Sequence, residues 1–323
     1  MENVENKQVL ENTNDQNLDS LFVPVKIDET ESEHIAAEPY SYWKAVMRTF
    51  IKRPAAIFGT ISFAILILAI IIIPFFAPEG YDASNTALIH AAPSAERIWG
   101  SDLMGRDLFF ICFVGLRKSL WLALISSTIN IVVGTLLGLA WGYFKKLDRI
   151  MIEVYNLISN VPSLLLYMLL AFILANSFPE MPSEAKLIIS LTCTGWLGIA
   201  LFVRNQTLII TNREYNVASI TLGTPAFRIM MKNLLPYLLP IIITQLSLLI
   251  PGMISSEVSL SYFGVGLPVT TVSVGAVLNN GISQFTLYPW ELLWPAAVLA
   301  FVIFTFYLIG LALSDAMDPK KHR

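Results

Sequence analysis

Three small groups of residues in this 323-residue sequence have types and spacings that could do chemistry. Thr211 and Glu214 stand three apart, a pattern in which hydroxyl and carboxylate satisfy the free backbone N–H groups at a helix start. Asp102, Arg106 and Asp107 set a cation among two carboxylates, which gives either a salt-bridged turn or a contact to something that docks or passes. Glu257 is the one acid deep in an apolar run. Lipid cannot solvate such a group, so it faces a bundle interior or a wet cavity. Its place near one end of the run favours a gate or a bond between subunits over a proton relay. His34, His90 and His322 are scattered, and Cys112 and Cys193 have no metal-type spacing and read as buried packing residues. No phosphate-cradling glycine–lysine–serine/threonine run occurs, so no cofactor or nucleotide site is visible in the chain.

The elements that carry these residues are membrane helices. Hydrophobic residues make up 55% of the chain and charged ones 14%. Residues 1–43 are different, with ten Asp or Glu against Lys7 and Lys26, and too little apolar content to offset the entropy of ordering. They read as a disordered acidic tail ahead of a membrane domain over 44–323. Spanning a bilayer takes about 20 mostly apolar residues, and five runs meet that need: Ala55–Ala77, Ser119–Phe144, Ile158–Phe178, Leu187–Val203 and Trp294–Leu313. A sixth, Tyr237–Tyr262, carries Pro240, Pro251 and Glu257 but is otherwise apolar or small, and a helix is the one open-ended structure that satisfies its own backbone in lipid. The expectation is an all-α, six-span membrane protein. Placing the tail in the cytoplasm puts fourteen Lys and Arg inside and five outside, so both termini are predicted cytoplasmic.

Thr211 and Glu214 then fall in an inner connection, about 204–236. The capping pattern and Gly223, suited to a left-handed stop, predict a helix of about eleven residues, and Pro225 predicts a second running to Pro236. On the first helix Tyr215, Ala218 and Leu222 share one face while Val217 and Ile220 lie on another. Outside the bilayer this is more apolar surface than the helix can bury within itself. It is either a plug for another protein or a helix lying on the headgroups.

"EYNVASITLG", followed thirteen residues after its glycine by Pro236, resembles the cytoplasmic coupling loop of ABC-importer membrane subunits. "GSDLMGRDLFF" at Gly100–Phe110, "GLRKSL" at Gly115–Leu120, "SSEVSLSYFGVGLP" at Ser255–Pro268 and "SDAMDP" at Ser314–Pro319 are similar to the oligopeptide/dipeptide permease type, OppC/DppC. The likeness spans most of residues 45–319. It departs at Val217-Ala218-Ser219, where the family has a Glu-Ala-Ala triplet, at Ser101 for threonine, and at Val274 for tryptophan.

The resemblance implies the type I ABC permease fold and a subunit of the cell membrane that performs no bond chemistry. It implies pairing with a homologous second permease, two cytoplasmic ATPases that hold ATP and Mg, an extracytoplasmic peptide-binding protein, and no nucleic acid. On this likeness Glu214, Tyr215, Val217, Ala218, Ser219, Leu222, Gly223, Leu235 and Pro236 form the ATPase-coupling segment, Glu214 serving contact or cap. Gly100, Asp102, Gly105, Arg106, Asp107 and Glu257 are outer-loop or pathway candidates. Nickel-chelate and other solute systems share this permease type, and a stand-alone carrier or channel is the competing class. An unburied cytoplasmic apolar helix separates the classes, because a carrier has no ATPase to cover it.

Overall fold

The computed structural model describes residues 42–268 and 271–317. The expected acidic tail lies outside the described residues except for Tyr42 and Trp43, which begin α1 (Tyr42–Ile51). Lys320, Lys321 and Arg323 also lie outside them, as do Asp318 and Pro319. A single compact unit begins at Val46. Its helices in order are α2 (Pro54–Ile72, prolonged by a 3-10 turn at Ile73–Phe76), α3 (Leu108–Tyr143), α4 (Lys145–Ser159), α5 (Ser163–Ser177), α6 (Ser183–Thr211), α7 (Glu214–Thr221), α8 (Ala226–Ile229), a π turn at Met230–Leu234, α9 (Leu235–Tyr262), α10 (Val274–Gln284) and α11 (Trp290–Met317). No strand occurs among the described residues. Five segments are long and apolar enough to cross a membrane, and the pair α4–α5 makes a sixth as one bent span.

The predicted third span needs the largest correction. The run Ile158–Phe178 does not form one rod: α4 and α5 meet at 83° across residues 160–162. Pro162 has no N–H, and its ring would clash with the carbonyl four residues back, so a helix cannot run through it without a kink. α4, unforeseen, is amphipathic, with Ile150 and Leu157 exposed beside its charged residues. The predicted short helix from Pro225 to Pro236 is also corrected. It is the first part of a 37-residue segment, Ala226–Tyr262. The π turn at Met230–Leu234 ends directly before Leu235–Pro236 begin the long rod, where the proline's missing N–H falls in a first turn.

The longest helices, α3 and α6, form the most extensive pair. The reason is a small-residue stripe. A Cβ on Gly134, Gly138 or Gly142 would come within 3 Å of Ile199, the Ala200 carbonyl or Thr207, so the two backbones meet where side chains would keep them apart. Leu191, Ile199, Val203 and Ile210 of α6 are buried along this seam, and α9 and α11 close the bundle through Ile254, Leu260, Val302 and Phe306.

Polar clamps mark the two ends. At one, Asp148 of α4 accepts from Trp141 Nε1 at 2.8 Å and from Arg204 at 2.8 Å, joining α3, α4 and α6, and Arg53 meets Asp315 at 3.5 Å. At the other, Lys118 pairs with Glu184 at 2.5 Å and His90 with Glu291 at 2.5 Å. These pairs bring the start of α2 and the end of α11 to one end of the bundle, and the start of α3 and of α6 to the other. That alternation agrees with the up-and-down threading read from the sequence.

Candidate functional site

α7 hangs between two spans at the end marked by Asp148. Its predicted start is two residues too early. Thr211 is the last residue of α6, its Oγ1 has no hydrogen-bond partner among the described residues, and the N-cap is Arg213, whose side chain makes no capping bond. Helix α6 continues to Thr211 because Ile210 is buried at 1% exposure and holds that turn against the bundle. Packing therefore outweighs the local capping pattern, and α7 has eight residues. Its stop is where the sequence places it. Gly223 has φ +77, the Gly223 and Thr224 N–H groups bond to the Ile220 and Ser219 carbonyls, and the left-handed residue ends the helix without a Cβ penalty.

The residue that aims α7 is Asn216, which the sequence analysis passed over. It is fully buried, donates from Nδ2 to the Ile210 carbonyl at 2.8 Å, and accepts from Asn233 Nδ2 at 3.1 Å. One side chain thus ties α7 to the end of α6 and to the π turn that leads into α9. Its only sequence signal was an amide inside an otherwise apolar-and-small helix.

With its polar residue turned in, α7 turns its apolar ones out. Tyr215, Val217 and Ile220 are 42–48% exposed and Leu222 is 85% exposed, and Phe227 of α8 is exposed too. Glu214 and Ala218 are exposed, Ser219 and Leu235 half-buried, and Pro236 exposed at the start of α9. The structure brings Glu214, Tyr215, Val217, Ala218 and Ser219 of α7, with Leu222 and Gly223 at its end, onto one projecting loop. Leu235 and Pro236 belong instead to the rod behind it.

At the opposite end residues 78–107 fold into a cap. Gly100 and Gly105 have φ of +80 and +72. Arg106 donates to Asp102 Oδ2 from Nε at 2.8 Å and from Nη2 at 2.6 Å, with both side chains 3% exposed. Asp102 Oδ1 also accepts from the Met104 and Arg106 N–H groups, so this is a satisfied buried turn. Asp107 is separate: it caps α3 by accepting from the Phe109 and Phe110 N–H groups. Burial pushes its carboxyl above the usual range, against the pull of those two N–H groups. The ring of His90 stacks on Tyr288 with centroids 4.0 Å apart, and Trp99 stacks on Trp294 at 5.5 Å.

Glu257 is 1% exposed and accepts from Ser119 Oγ at 2.9 Å and from Ser261 and Ser273 Oγ at 3.2 Å. The expectation of a bond to another subunit is corrected, because its described partners lie on α3, on α9 and at the start of α10. Cys112 is buried as expected, but Cys193 is exposed.

A bundle of apolar spans with a folded cap at one end and an apolar loop projecting from the other defines a multi-pass membrane protein. The comparisons give its family. Residues 131–323 match the family of binding-protein-dependent transport system inner membrane components, and residues 41–93 match the N-terminal TM domain of oligopeptide transport permease C. The oligopeptide permease AmiD of Streptococcus pneumoniae is 36% identical over 94% of this chain and 97% of its own. The oligopeptide permease OppC and the dipeptide permease DppC of Bacillus subtilis are 33% and 32% identical, over 93% and 94% of this chain and 97% and 94% of their own. The chain belongs to this family of type I ABC permeases, whose members form the membrane passage and carry out no bond chemistry.

Proposed function

We propose that this chain pairs with a homologous second permease to enclose a pathway for oligopeptides or dipeptides. It docks two cytoplasmic ATPases, which hold ATP and Mg, through α7, and it receives peptide from an extracytoplasmic binding protein. Both termini and α7 face the cytoplasm, and the cap faces outward.

The observation that carries this is the inversion on α7, with Asn216 buried and Val217, Ile220 and Leu222 exposed. A short helix whose polar residue is locked to two spans moves those spans as rods when it is pushed, which is what coupling to a motor requires. Burying each exposed apolar side chain in an ATPase groove contributes roughly 1.5–3 kcal/mol. In this proposal Ala218 and Ser219 are where the groove approaches closely, Tyr215, Val217 and Leu222 supply the apolar contacts, Glu214 meets the partner's rim, and Gly223 sets the angle. The named relatives favour peptide over a nickel chelate or another solute.

Co-expression with candidate ATPase subunits and purification through a tag on this chain tests the assignment. The ATPases should co-purify, and the chain alone should aggregate or be degraded. A monodisperse chain that transports by itself would overturn the proposal in favour of a carrier. For orientation, a cysteine at Glu180, which is exposed between α5 and α6, should react with an impermeant reagent on intact cells. Reaction only after the membrane is opened would reverse the topology.

A further inference from the structure

We infer that the elbow between α4 and α5 is a station on the pathway that holds a peptide by its backbone amides through uncharged polar side chains. The inference rests on the peptide-permease assignment above and adds to it a location and a mode of recognition.

The depth of the break comes first. α5 has fifteen residues and so rises about 22 Å, whereas the hydrocarbon of a bilayer is about 30 Å thick. Placing Ser177 at the cap-side surface would leave residues 160–162 about 8 Å short of the other surface. Non-helical backbone at that depth is tolerated where protein or water covers it, because lipid offers no hydrogen bonds. Here Asn160, Val161, Pro162 and Ser163 are all exposed on this chain.

The second observation is a cavity of about 330 Å³ at the elbow. Tyr155, Ser159, Ser163, Tyr167, Thr194 and Gly198 line it with their apolar neighbours, and no Asp, Glu, Lys, Arg or His is among the lining residues. Thr194 Oγ1 is buried there without a hydrogen-bond partner among the described residues. Directly behind Gly195 stands Asn130, 0% exposed, whose Nδ2 donates to the Leu191 carbonyl at 3.3 Å while its Oδ1 has no described partner. A Cβ on Gly198 would meet nothing within 4 Å, so the wall is open at that point.

Hydroxyls arranged this way, without a charge, match the donors and acceptors that every peptide carries in its backbone. They have no means to discriminate an acidic from a basic side chain. A cavity that held one charged residue would select against peptides of that sign.

The test uses the assembled transporter with its binding protein and three probes: trialanine, Ala-Glu-Ala and Ala-Lys-Ala. Gly198→Leu should abolish uptake of all three while the ATPases still co-purify. Thr194→Val should raise KM by about three- to tenfold, the worth of one hydrogen bond, and equally for the three peptides. In a Cys193→Ser background, Gly198→Cys should react with a water-soluble thiol reagent in opened membranes, more slowly when trialanine is present. Unchanged uptake in Gly198→Leu, or a change confined to one charge type, would overturn the inference. A Gly198→Cys thiol that never reacts would assign the elbow to a seam with the second permease or to lipid, and would overturn it also. Failure of the unmodified transporter to take up any of the three peptides, with Gly198→Cys still reactive, would instead bring down the peptide assignment itself.

Discussion

The cap and the loop that carries α7 dispose of their polar and apolar residues in opposite ways. In the cap the charged groups are inside: Asp102 and Arg106 are each 3% exposed and bonded to each other. In the coupling loop the polar group inside is a neutral amide, Asn216, and the side chains outside are valine, isoleucine and leucine. The cap is complete within one chain, since its costly groups have partners. The loop is incomplete, since its apolar groups await cover. The contrast teaches that a finished surface and one left open to a partner differ in where their polar and apolar residues point.

The sharpest way to break this contrast is in the cap. Asp102→Ala leaves Arg106 buried without its carboxylate, so it should destabilise the protein by about 3–5 kcal/mol, read as a lowered unfolding temperature of the detergent-solubilised complex. A loss near zero would mean that water reaches Arg106 and that the cap is no more finished than the loop. In the loop, Asn216→Ala removes two hydrogen bonds and leaves Asn233 Nδ2 without its described acceptor, while the Ile210 carbonyl keeps the Arg213 N–H, for about 1–3 kcal/mol. Because Asn216 aims α7, the larger readout should be coupling: ATPases remain bound, yet substrate-stimulated hydrolysis falls. Equal loss of binding and stimulation would make Asn216 a plain stability residue. Gly223→Val has the smallest expected effect, about 1–2 kcal/mol from forcing a β-branched residue to φ +77, visible as protease nicking after α7. No change there would mean that the stop is set by Pro225.

Much of this architecture is legible in sequence because lipid permits so few alternatives. A run of twenty apolar residues has to be a helix, and Gly223 has to end one. Misreadings arose where tertiary contacts overruled a local pattern. Thr211 and Glu214 look like a helix start, but Ile210 packs so well that α6 swallows Thr211. Pro162 looked tolerable inside an apolar run, but the amphipathic residues before it gain more by turning through 83° than by continuing. Asn216 was invisible for another reason. Its partners, residues 210 and 233, are six and seventeen positions away and only the folded chain brings them to it.

The central claim, that α7 is where this chain is driven by a partner ATPase, is tested most directly by Ala218→Asp. Ala218 is exposed and touches none of the spans' buried core, so the variant should insert and pair with the second permease as before. A carboxylate forced into an apolar groove is desolvated without a partner, so ATPase co-purification and peptide uptake should fall together. Normal values for both in the Ala218→Asp protein would contradict the account and leave α7 a helix that lies on the headgroups.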